Sequence, residues 1–266
     1  MHTTIKPFVI CSKNPQRRAH MTAELNRYNL NGIFFDGIYV NDQQLKTDVK
    51  DYPVNGLSKG EIGCSLSHIE IYKTMVKEKI PLALIMEDDI KFKENIVSVL
   101  KDIEEFDEKT DKPFVYLLTP YKAYVENRKI QLKNVALYEI YRADFAYGYV
   151  VNLKAAQRLA DYLYPVRFTP DDWRYFKFAA KINVYTAIPE IITSANFKSE
   201  VGDDCRIALT DKKGKYHPKL MLQDLSALMR IFSFKFFVRP FLKVKSKTNQ
   251  DNFFEKMKRS IKKRLH

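Results

Sequence analysis

The sequence contains few of the residues that form disulfide frameworks and zinc sites. Its 266 residues include three widely separated cysteines, Cys11, Cys64 and Cys205. Because no C-x-x-C pair and no histidine cluster accompanies them, the sequence predicts neither a disulfide framework nor a zinc site. Cys11 and Cys64 stand among apolar residues, so we expect both to be small residues of the core.

Long apolar runs are also missing. No stretch approaches the roughly 18 apolar residues that a membrane-spanning helix needs. The apolar run after Lys6 and Pro7 is too short for the hydrophobic region of a signal peptide. These absences predict a location in the reducing cytoplasm.

Acidic residues are scarce near the end of the chain. Residues 230–266 contain twelve Lys and Arg residues against Asp251 and Glu255, so they carry +10 of the total net charge of +13. Apolar side chains recur there at roughly helical spacing, at Phe253 or Phe254, Met257, Ile261 and Leu265. We predict a basic amphipathic C-terminal helical tail in which residues 228–266 lie on an anionic inner-leaflet surface. The alternative is a solvated basic helix packed on the body.

A nucleic-acid-binding function is disfavoured, because the chain has no recognition motif and its charge is confined to one end.

A hydrophobic content of 45% is enough to form a hydrophobic core. The composition becomes aromatic and basic near Leu225, so we expect a catalytic body over residues 1–225 and a membrane-associating tail over residues 226–266.

Apolar segments alternate with helical patterns along the body. Strands are predicted at residues 8–11, 33–35, 82–86, 114–118, 145–151 and 182–185, and residues 41–56 are expected to form a loop. Helices are predicted after Asn14, after Ser58, where Glu61 completes a capping box, and at residues 153–163. This alternation predicts an α/β fold with a mostly parallel sheet flanked by helices.

Three carboxylates, Glu87, Asp88 and Asp89, follow the apolar run 82–86 without a spacer. Acidic residues at the carboxyl end of a buried strand occupy the position where α/β sheets bind ligands. Adjacent carboxylates repel each other, and oxygen ligands favour Mg²⁺ or Mn²⁺ over zinc. The alternative is a solvated acidic turn.

Two segments carry a family resemblance. "LSKGEIGCSLSH" (57–68), followed by "PLALIMEDDI" (81–90), resembles glycosyltransferase family 25, the bacterial lipooligosaccharide glycosyltransferases. "FVICSKNPQRRAHM", "FAYGYVVNLKAAQRLADYL" and "TPDDW" resemble other blocks of that family. The resemblance implies a GT-A-like, Rossmann-type fold and an inverting transfer of a hexose, most often galactose, from a UDP-sugar. The implied acceptor is a lipid-linked oligosaccharide of lipooligosaccharide or lipopolysaccharide.

The resemblance also implies a cation site. The Glu87–Asp89 run is similar to the D-x-D element, with Mn²⁺ or Mg²⁺ neutralising the departing diphosphate. Asp89 is then the expected metal ligand, Glu87 reaches the metal or the donor ribose, and Asp88 orients neighbouring groups. His217 is a further candidate ligand that we do not favour.

An inverting transfer needs a base for the acceptor hydroxyl. Against the family pattern P-x-D-W, Asp172 takes the Asp position and Asp171 the variable one, so we favour Asp172. A helix N-cap at Asp171 or Asp172 is an equal alternative. Trp173 either stacks on a sugar or anchors the core.

Donor binding is expected from Arg17 and Arg18 toward the diphosphate, and from Asp36 toward uracil or ribose. Lys59, at the start of the capped helix, and Asp88 are the remaining candidate residues of the donor site. A solvated helix face is an equal alternative for one of the arginines.

His68 is interpreted as a structural histidine. The competing function is an inactive, transferase-like scaffold that binds membranes or partner enzymes through the tail.

Overall fold

The computed structural model describes residues 3–53, 55–195, 197, 229–230, 233–234 and 239–246. The elements of the amino-terminal half are β1 (Lys6–Cys11), α1 (Pro15–Arg27), β2 (Ile33–Asp36), α2 (Asp42–Thr47), α3 (Lys59–Glu78), β3 (Leu82–Glu87), β4 (Ile90–Phe92), α4 (Ile96–Asp107) and β5 (Phe114–Leu117). Those that follow are β6 (Ala123–Gln131), β7 (Ala136–Arg142), β8 (Gly148–Asn152), α5 (Leu153–Leu163), α6 (Trp173–Ala179), β9 (Asn183–Ile188), β10 (Ile192–Ser194) and β11 (Val244–Ser246).

In the described part of the chain, nine strands form one sheet in the order β11-β6-β7-β9-β5-β8-β3-β1-β2. The pairs β1–β2, β1–β3 and β5–β9 are parallel, and the other five pairings are antiparallel. Within the described residues, six strands point in one direction, and β7, β8 and β11 point in the other. The predicted α/β fold is confirmed, and the sheet is mostly parallel in the sense that most of its described strands run in the same direction. Strands β4 and β10 form a separate antiparallel pair.

Strand β3 divides the core into two faces. Ala83 and Ile85 pack with the cluster that contains residues of α3, α5 and α6. Leu84 and Met86 pack with the cluster that contains residues of α1 and α4. Because side chains alternate along a strand, the residues that follow β3 also divide between the two faces. This alternation positions the acidic residues described below.

The predicted helix starts are confirmed. The Asn14 side chain accepts a hydrogen bond from the Gln16 N–H, with Pro15 at the first helical position. Ser58 and Glu61 form both bonds of a capping box at the start of α3. Helix α5 spans the predicted residues 153–163.

Two element predictions are wrong. Residues 41–56 are not all loop, because α2 begins after a capping box between Asn41 and Gln44 and buries Leu45. A single buried leucine among polar residues gave little helical pattern to detect. The strand predicted at 145–151 begins three residues later, at Gly148.

Part of the predicted tail contacts the body. Strand β11 pairs with β6 through Val244 and Val125, and the Arg230 Nε donates to the Phe178 carbonyl oxygen at 2.8 Å. The predicted amphipathic helix at 253–266 lies outside the described residues, and the boundary at 225/226 stays a prediction. Among the helices that the structure describes, none has the length and apolar character needed to cross a membrane.

Candidate active site

A cleft of about 430 Å³ opens where β1, β2 and β3 end against α3. Its lining comes from four parts of the chain: Ile10, Cys11, Ser12 and Arg17; Gly37, Ile38, Tyr39 and Val40; Lys59, Gly60, Gly63, Cys64 and Ser67; and Glu87, Asp88 and Asp89. The structure thus brings together the predicted site residues Arg17, Lys59 and the acidic triplet. The carboxyl ends of parallel strands meet at this edge, which is the usual ligand position in α/β sheets.

Asp88 is buried and fully engaged within the protein. Its Oδ2 accepts hydrogen bonds from the Ser12 N–H at 2.7 Å and the Ser12 hydroxyl at 2.6 Å. Its Oδ1 accepts from the Arg17 Nη1 at 2.5 Å. This carboxylate therefore fixes the turn between β1 and α1 and orients Arg17.

Asp89 lies at the mouth of the cleft. Its carboxylate is 3.3 Å from the Arg17 Nη2, and its side chain is 20% exposed. Burial raises the pKa of Asp89, while the Arg17 charge acts in the opposite direction. The Arg17 guanidinium also lies over the Phe197 ring, 5.5 Å from its centroid. One arginine thus holds both aspartates of the triplet.

Glu87 faces the α3 side of the sheet. Burial, together with the charges of Asp89, Asp171 and Asp88, raises the pKa of Glu87 from its ordinary value of 4.5 to about 8. A carboxyl in this environment is held neutral near pH 7 unless a cation stabilises its charged form. Burial, followed by the charges of Asp89, Glu87 and Glu190, raises the pKa of Tyr147 to about 12, so Glu87 and Asp89 contribute to one region of negative potential.

Helix α3 packs unusually closely against the segment after β2. A Cβ atom at Gly63 would lie 2.1 Å from the Ile38 carbonyl oxygen, so only glycine fits there. The Ile38 N–H donates to the Ser67 hydroxyl at 2.9 Å. A glycine inside a helix costs about 1 kcal/mol relative to alanine. That cost is offset here by a close contact that forms one wall of the cleft.

Cys64 and His68 extend this wall toward Glu87. The Cys64 Sγ, a ring nitrogen of His68 and a Glu87 carboxylate oxygen lie within 4.8 Å of one another. Cys11 is buried as predicted, whereas Cys64 is half-buried, and both thiols line the cleft. The spacing of Cys64 and His68, four residues apart on one helix, was the available sequence signal. Its partner Glu87 is distant in sequence, so spacing alone did not reveal the cluster.

His68 is a buried histidine, as predicted. Its Nδ1 is 2.8 Å from the Tyr149 hydroxyl, which is 2.5 Å from the Tyr72 hydroxyl. Burial lowers the pKa of His68 to about 3, so the imidazole is neutral at physiological pH. The Nε2 atom is buried and has no hydrogen-bond partner in the part of the chain that the structure describes.

The two candidate bases, Asp171 and Asp172, stand side by side just before α6. The charge of Asp171 contributes to the raised pKa values of Glu87 and Cys64, after burial in both cases. Asp172 stands at the N-cap position of α6, where its side chain makes no cap hydrogen bond. Trp173 is fully buried and its Nε1 donates to the Phe145 carbonyl oxygen at 2.8 Å, which confirms the core-anchor alternative.

The remaining donor-binding candidates lie at different distances from the cleft. Lys59 lines it and pairs with Asp42 at 2.8 Å. Arg18 pairs with Asp36 at 3.1 Å on the surface, and neither is among the described residues that line the cleft. His217 lies outside the described residues. Sequence reasoning missed Ser12 and Tyr39, which complete the rim without carrying charge.

The sequence matches the model of glycosyltransferase family 25 (LPS biosynthesis protein) over residues 4–174. The chain belongs to glycosyltransferase family 25. The matched region contains the acidic triplet, the capped helix α3 and both candidate bases. The family prediction made from the two quoted segments is therefore confirmed.

Relatives of this family 25 member include proteins named as galactosyltransferases and proteins named as inactive. Procollagen galactosyltransferase 2 from Mus musculus is 30% identical over 139 residues, covering 47% of this chain and 21% of that protein. Inactive glycosyltransferase 25 family member 3, also from Mus musculus, is 32% identical over 110 residues, covering 37% and 19%. The chain spans about a fifth of the length of these relatives.

A solved structure is also similar to this family 25 chain. It is a glycosyltransferase involved in the glycosylation of the major capsid of PBCV-1, with a TM-score of 0.29, 9% identity, and coverage of 71% of this chain and 95% of that one.

Proposed function

We propose that this family 25 protein is a metal-dependent, inverting glycosyltransferase that moves a hexose from a UDP-sugar to a saccharide of lipooligosaccharide or lipopolysaccharide. Galactose is the proposed sugar, since galactosyltransferases are among the relatives. The observation that carries the proposal is the meeting of Glu87, Asp89 and Arg17 at one cleft beside the carboxyl ends of parallel strands.

The residues present fit a hard divalent cation. Asp89 and Glu87 supply oxygen ligands, and the pKa of each is raised by burial in a region of negative potential. Mg²⁺ and Mn²⁺ bind one or two protein carboxylates and leave other positions to phosphate and water. Such an ion, when bound, supplies Lewis-acid stabilisation of a diphosphate leaving group.

The chain's own cations flank that position. Arg17 presents a buried guanidinium to Asp89, and Lys59 lines the same cleft at the start of α3. A diphosphate entering the cleft meets both charges and the N-terminus of α3, which favours anions. Arg18 and Asp36 are retained as outer donor contacts at the end of β2.

The acceptor base is one of two adjacent aspartates. Its task is to accept the proton of the acceptor hydroxyl as that oxygen attacks the anomeric carbon. The electrostatic coupling of Asp171 to Glu87 and Cys64 supports Asp171 as this base, and Asp172 remains the candidate that the P-x-D-W pattern favours.

The acceptor and the site of action belong to the same proposal. Residues 228–266 are proposed to hold the enzyme at the cytoplasmic face of the inner membrane, where a lipid-linked oligosaccharide is accessible. Each basic residue near an anionic surface contributes about 1 kcal/mol to membrane binding.

A panel of UDP-sugars tests the function. UDP release is measured with Mn²⁺ or with EDTA, in the presence and absence of a short lipooligosaccharide-core saccharide. We expect Mn²⁺-dependent release from one donor, stimulated by the acceptor. Absence of release from every donor, with the protein shown to be folded, contradicts the proposal.

An inactive scaffold is the second candidate. One observation favours it: Arg17 already neutralises both Asp88 and Asp89, as a bound cation would. Inactive members also occur among the relatives. The same panel separates the two, since a scaffold releases no UDP under any condition.

A further inference from the structure

A second set of candidate metal ligands lies on the α3 side of the cleft. The Cys64 thiol, a His68 ring nitrogen and a Glu87 carboxylate oxygen lie within 4.8 Å of one another. Ligand atoms around one tetrahedral Zn²⁺ lie about 3.5 Å apart, so side-chain shifts of about 1 Å bring this set to bonding distance of one ion. Two of the three ligands belong to classes that Zn²⁺ prefers, thiolate and imidazole.

The buried imidazole of His68 is the observation that points to a ligand. The side chain is fully buried, and its Nε2 has no hydrogen-bond partner among the described residues. The other ring nitrogen, Nδ1, is held by the Tyr149 hydroxyl at 2.8 Å. Metal-binding histidines are commonly oriented in this way, by a hydrogen bond at the nitrogen that does not bind the metal. A metal ion at Nε2 removes the penalty of an unpaired buried polar atom.

Rigid elements position all three ligands. Cys64 and His68 stand four residues apart on α3, so they share one face of the helix. Glu87 ends β3 and follows Ile85 on the sheet face that packs against α3. Sites built on helices and strands are held more tightly than sites built on loops.

We infer that Cys64, His68 and Glu87 form a binding site for a divalent ion that prefers thiolate and imidazole, Zn²⁺ above all, with the fourth position open to the cleft. Three protein ligands and one open position are typical of a catalytic zinc site. This site is distinct from the oxygen-only pair formed by Glu87 and Asp89. Glu87 has two carboxylate oxygens, so it can provide one to each site. The inference holds equally for an active transferase and for an inactive scaffold.

Co²⁺ binding to the full chain, kept reduced by a phosphine, tests the inference. Tetrahedral Co²⁺ with a thiolate ligand has a near-ultraviolet charge-transfer band and intense visible bands. We expect both in the wild-type protein at one ion per chain, with displacement by Zn²⁺. Cys64→Ser should lose the charge-transfer band. Cys11→Ser, Cys205→Ser and Asp89→Asn are matched controls that should keep it.

A second measurement uses Zn²⁺ competition with a chromophoric chelator. Loss of one ligand in His68→Gln should weaken Zn²⁺ affinity by at least about tenfold. The inference is overturned by a folded wild-type protein without the thiolate band, by a band that survives Cys64→Ser, or by unchanged affinity in folded His68→Gln. None of these readouts measures activity. A failed UDP-release assay therefore does not change the conclusion drawn from the metal-binding measurements.

Discussion

The Arg17 guanidinium donates to the Asp88 carboxylate at 2.5 Å, and both side chains are at least 94% buried. The pair joins the start of α1 to the end of β3. Asp88 also accepts two hydrogen bonds from Ser12, so the β1–α1 turn is fixed on the acidic triplet. This arrangement makes Arg17 part of the architecture of the cleft as well as a candidate ligand for phosphate.

Removal of Arg17 should therefore destabilise the fold. Breaking a buried ion pair from one side leaves an uncompensated charge and costs about 3–5 kcal/mol. We expect Arg17→Ala to lower the free energy of unfolding by about 3 kcal/mol in a urea titration, because the Ser12 bonds to Asp88 remain. Arg18→Ala breaks the exposed pair with Asp36 and is the matched control, with an expected effect below about 1 kcal/mol. Equal effects of the two variants would show that the buried pair has no special role.

Glu87 should make stability depend on pH. Its pKa is about 8 in the folded protein and 4.5 ordinarily, so the folded state retains a proton that the unfolded chain releases between these values. Stability from this group is complete below pH 4.5 and is lost as the pH rises through 8, at up to about 1.4 kcal/mol per pH unit.

Glu87→Gln tests this dependence, since it removes the titrating group. In EDTA, the variant should match the wild type near pH 5 and exceed it by several kcal/mol near pH 8.5, within the limit set by that slope. Urea titrations at both pH values measure the difference, with the exposed Glu94→Gln as control. A wild-type advantage at pH 8.5 would mean that Glu87 is stabilised in its charged form without a cation.

The two candidate bases should separate in kinetics. General-base catalysis contributes about a hundredfold to ten-thousandfold. We expect Asp171→Asn to lower kcat by that factor, with little change in KM for the donor, and Asp172→Asn to lower it by less than tenfold. The reverse order would restore the assignment that the P-x-D-W pattern favours.

Two truncations should separate packing from membrane binding. Residues 247–266 hold seven basic and two acidic residues, whereas residues 239–246 include β11 at the edge of the sheet. A chain ending at Ser246 should keep the wild-type Tm and bind anionic vesicles at least tenfold more weakly, because each lost basic residue is worth about 1 kcal/mol.

A chain ending at Leu228 should in addition lose several degrees of Tm, since β6 loses its edge partner. Vesicles without anionic lipid are the control for charge. Undiminished vesicle binding by the chain ending at Ser246 would place the membrane contact elsewhere.

Local patterns predicted much of the fold. Caps at Asn14 and Ser58 and the apolar run before Glu87 depend on neighbouring residues, so one sequence reveals them. Helix α2 was not predicted, because Leu45 is the single buried residue that marks its inner face. The antiparallel insertion of β8 between β3 and β5 is a property of the chain path, which periodicity does not encode.

The charged residues of the site could be predicted from the sequence, but the contacts between them could not. The acidic triplet stands out in the sequence, but its division between Arg17 and the α3 wall follows from strand alternation in three dimensions. The cluster of Cys64, His68 and Glu87 joins α3 to β3 across the core, so its members are adjacent only after folding.

UDP release by Asp89→Ala tests whether the acidic triplet holds a catalytic cation. Asp89 is partly exposed at the cleft and shares Arg17 with Asp88, so its loss leaves the Arg17–Asp88 pair in place. We expect a folded variant whose Mn²⁺-dependent release from the preferred UDP-sugar falls at least a hundredfold. Asp161→Asn changes an exposed residue of α5 that is not among the described residues lining the cleft, and it should behave as wild type. Substantial residual Mn²⁺-dependent turnover in folded Asp89→Ala would contradict it.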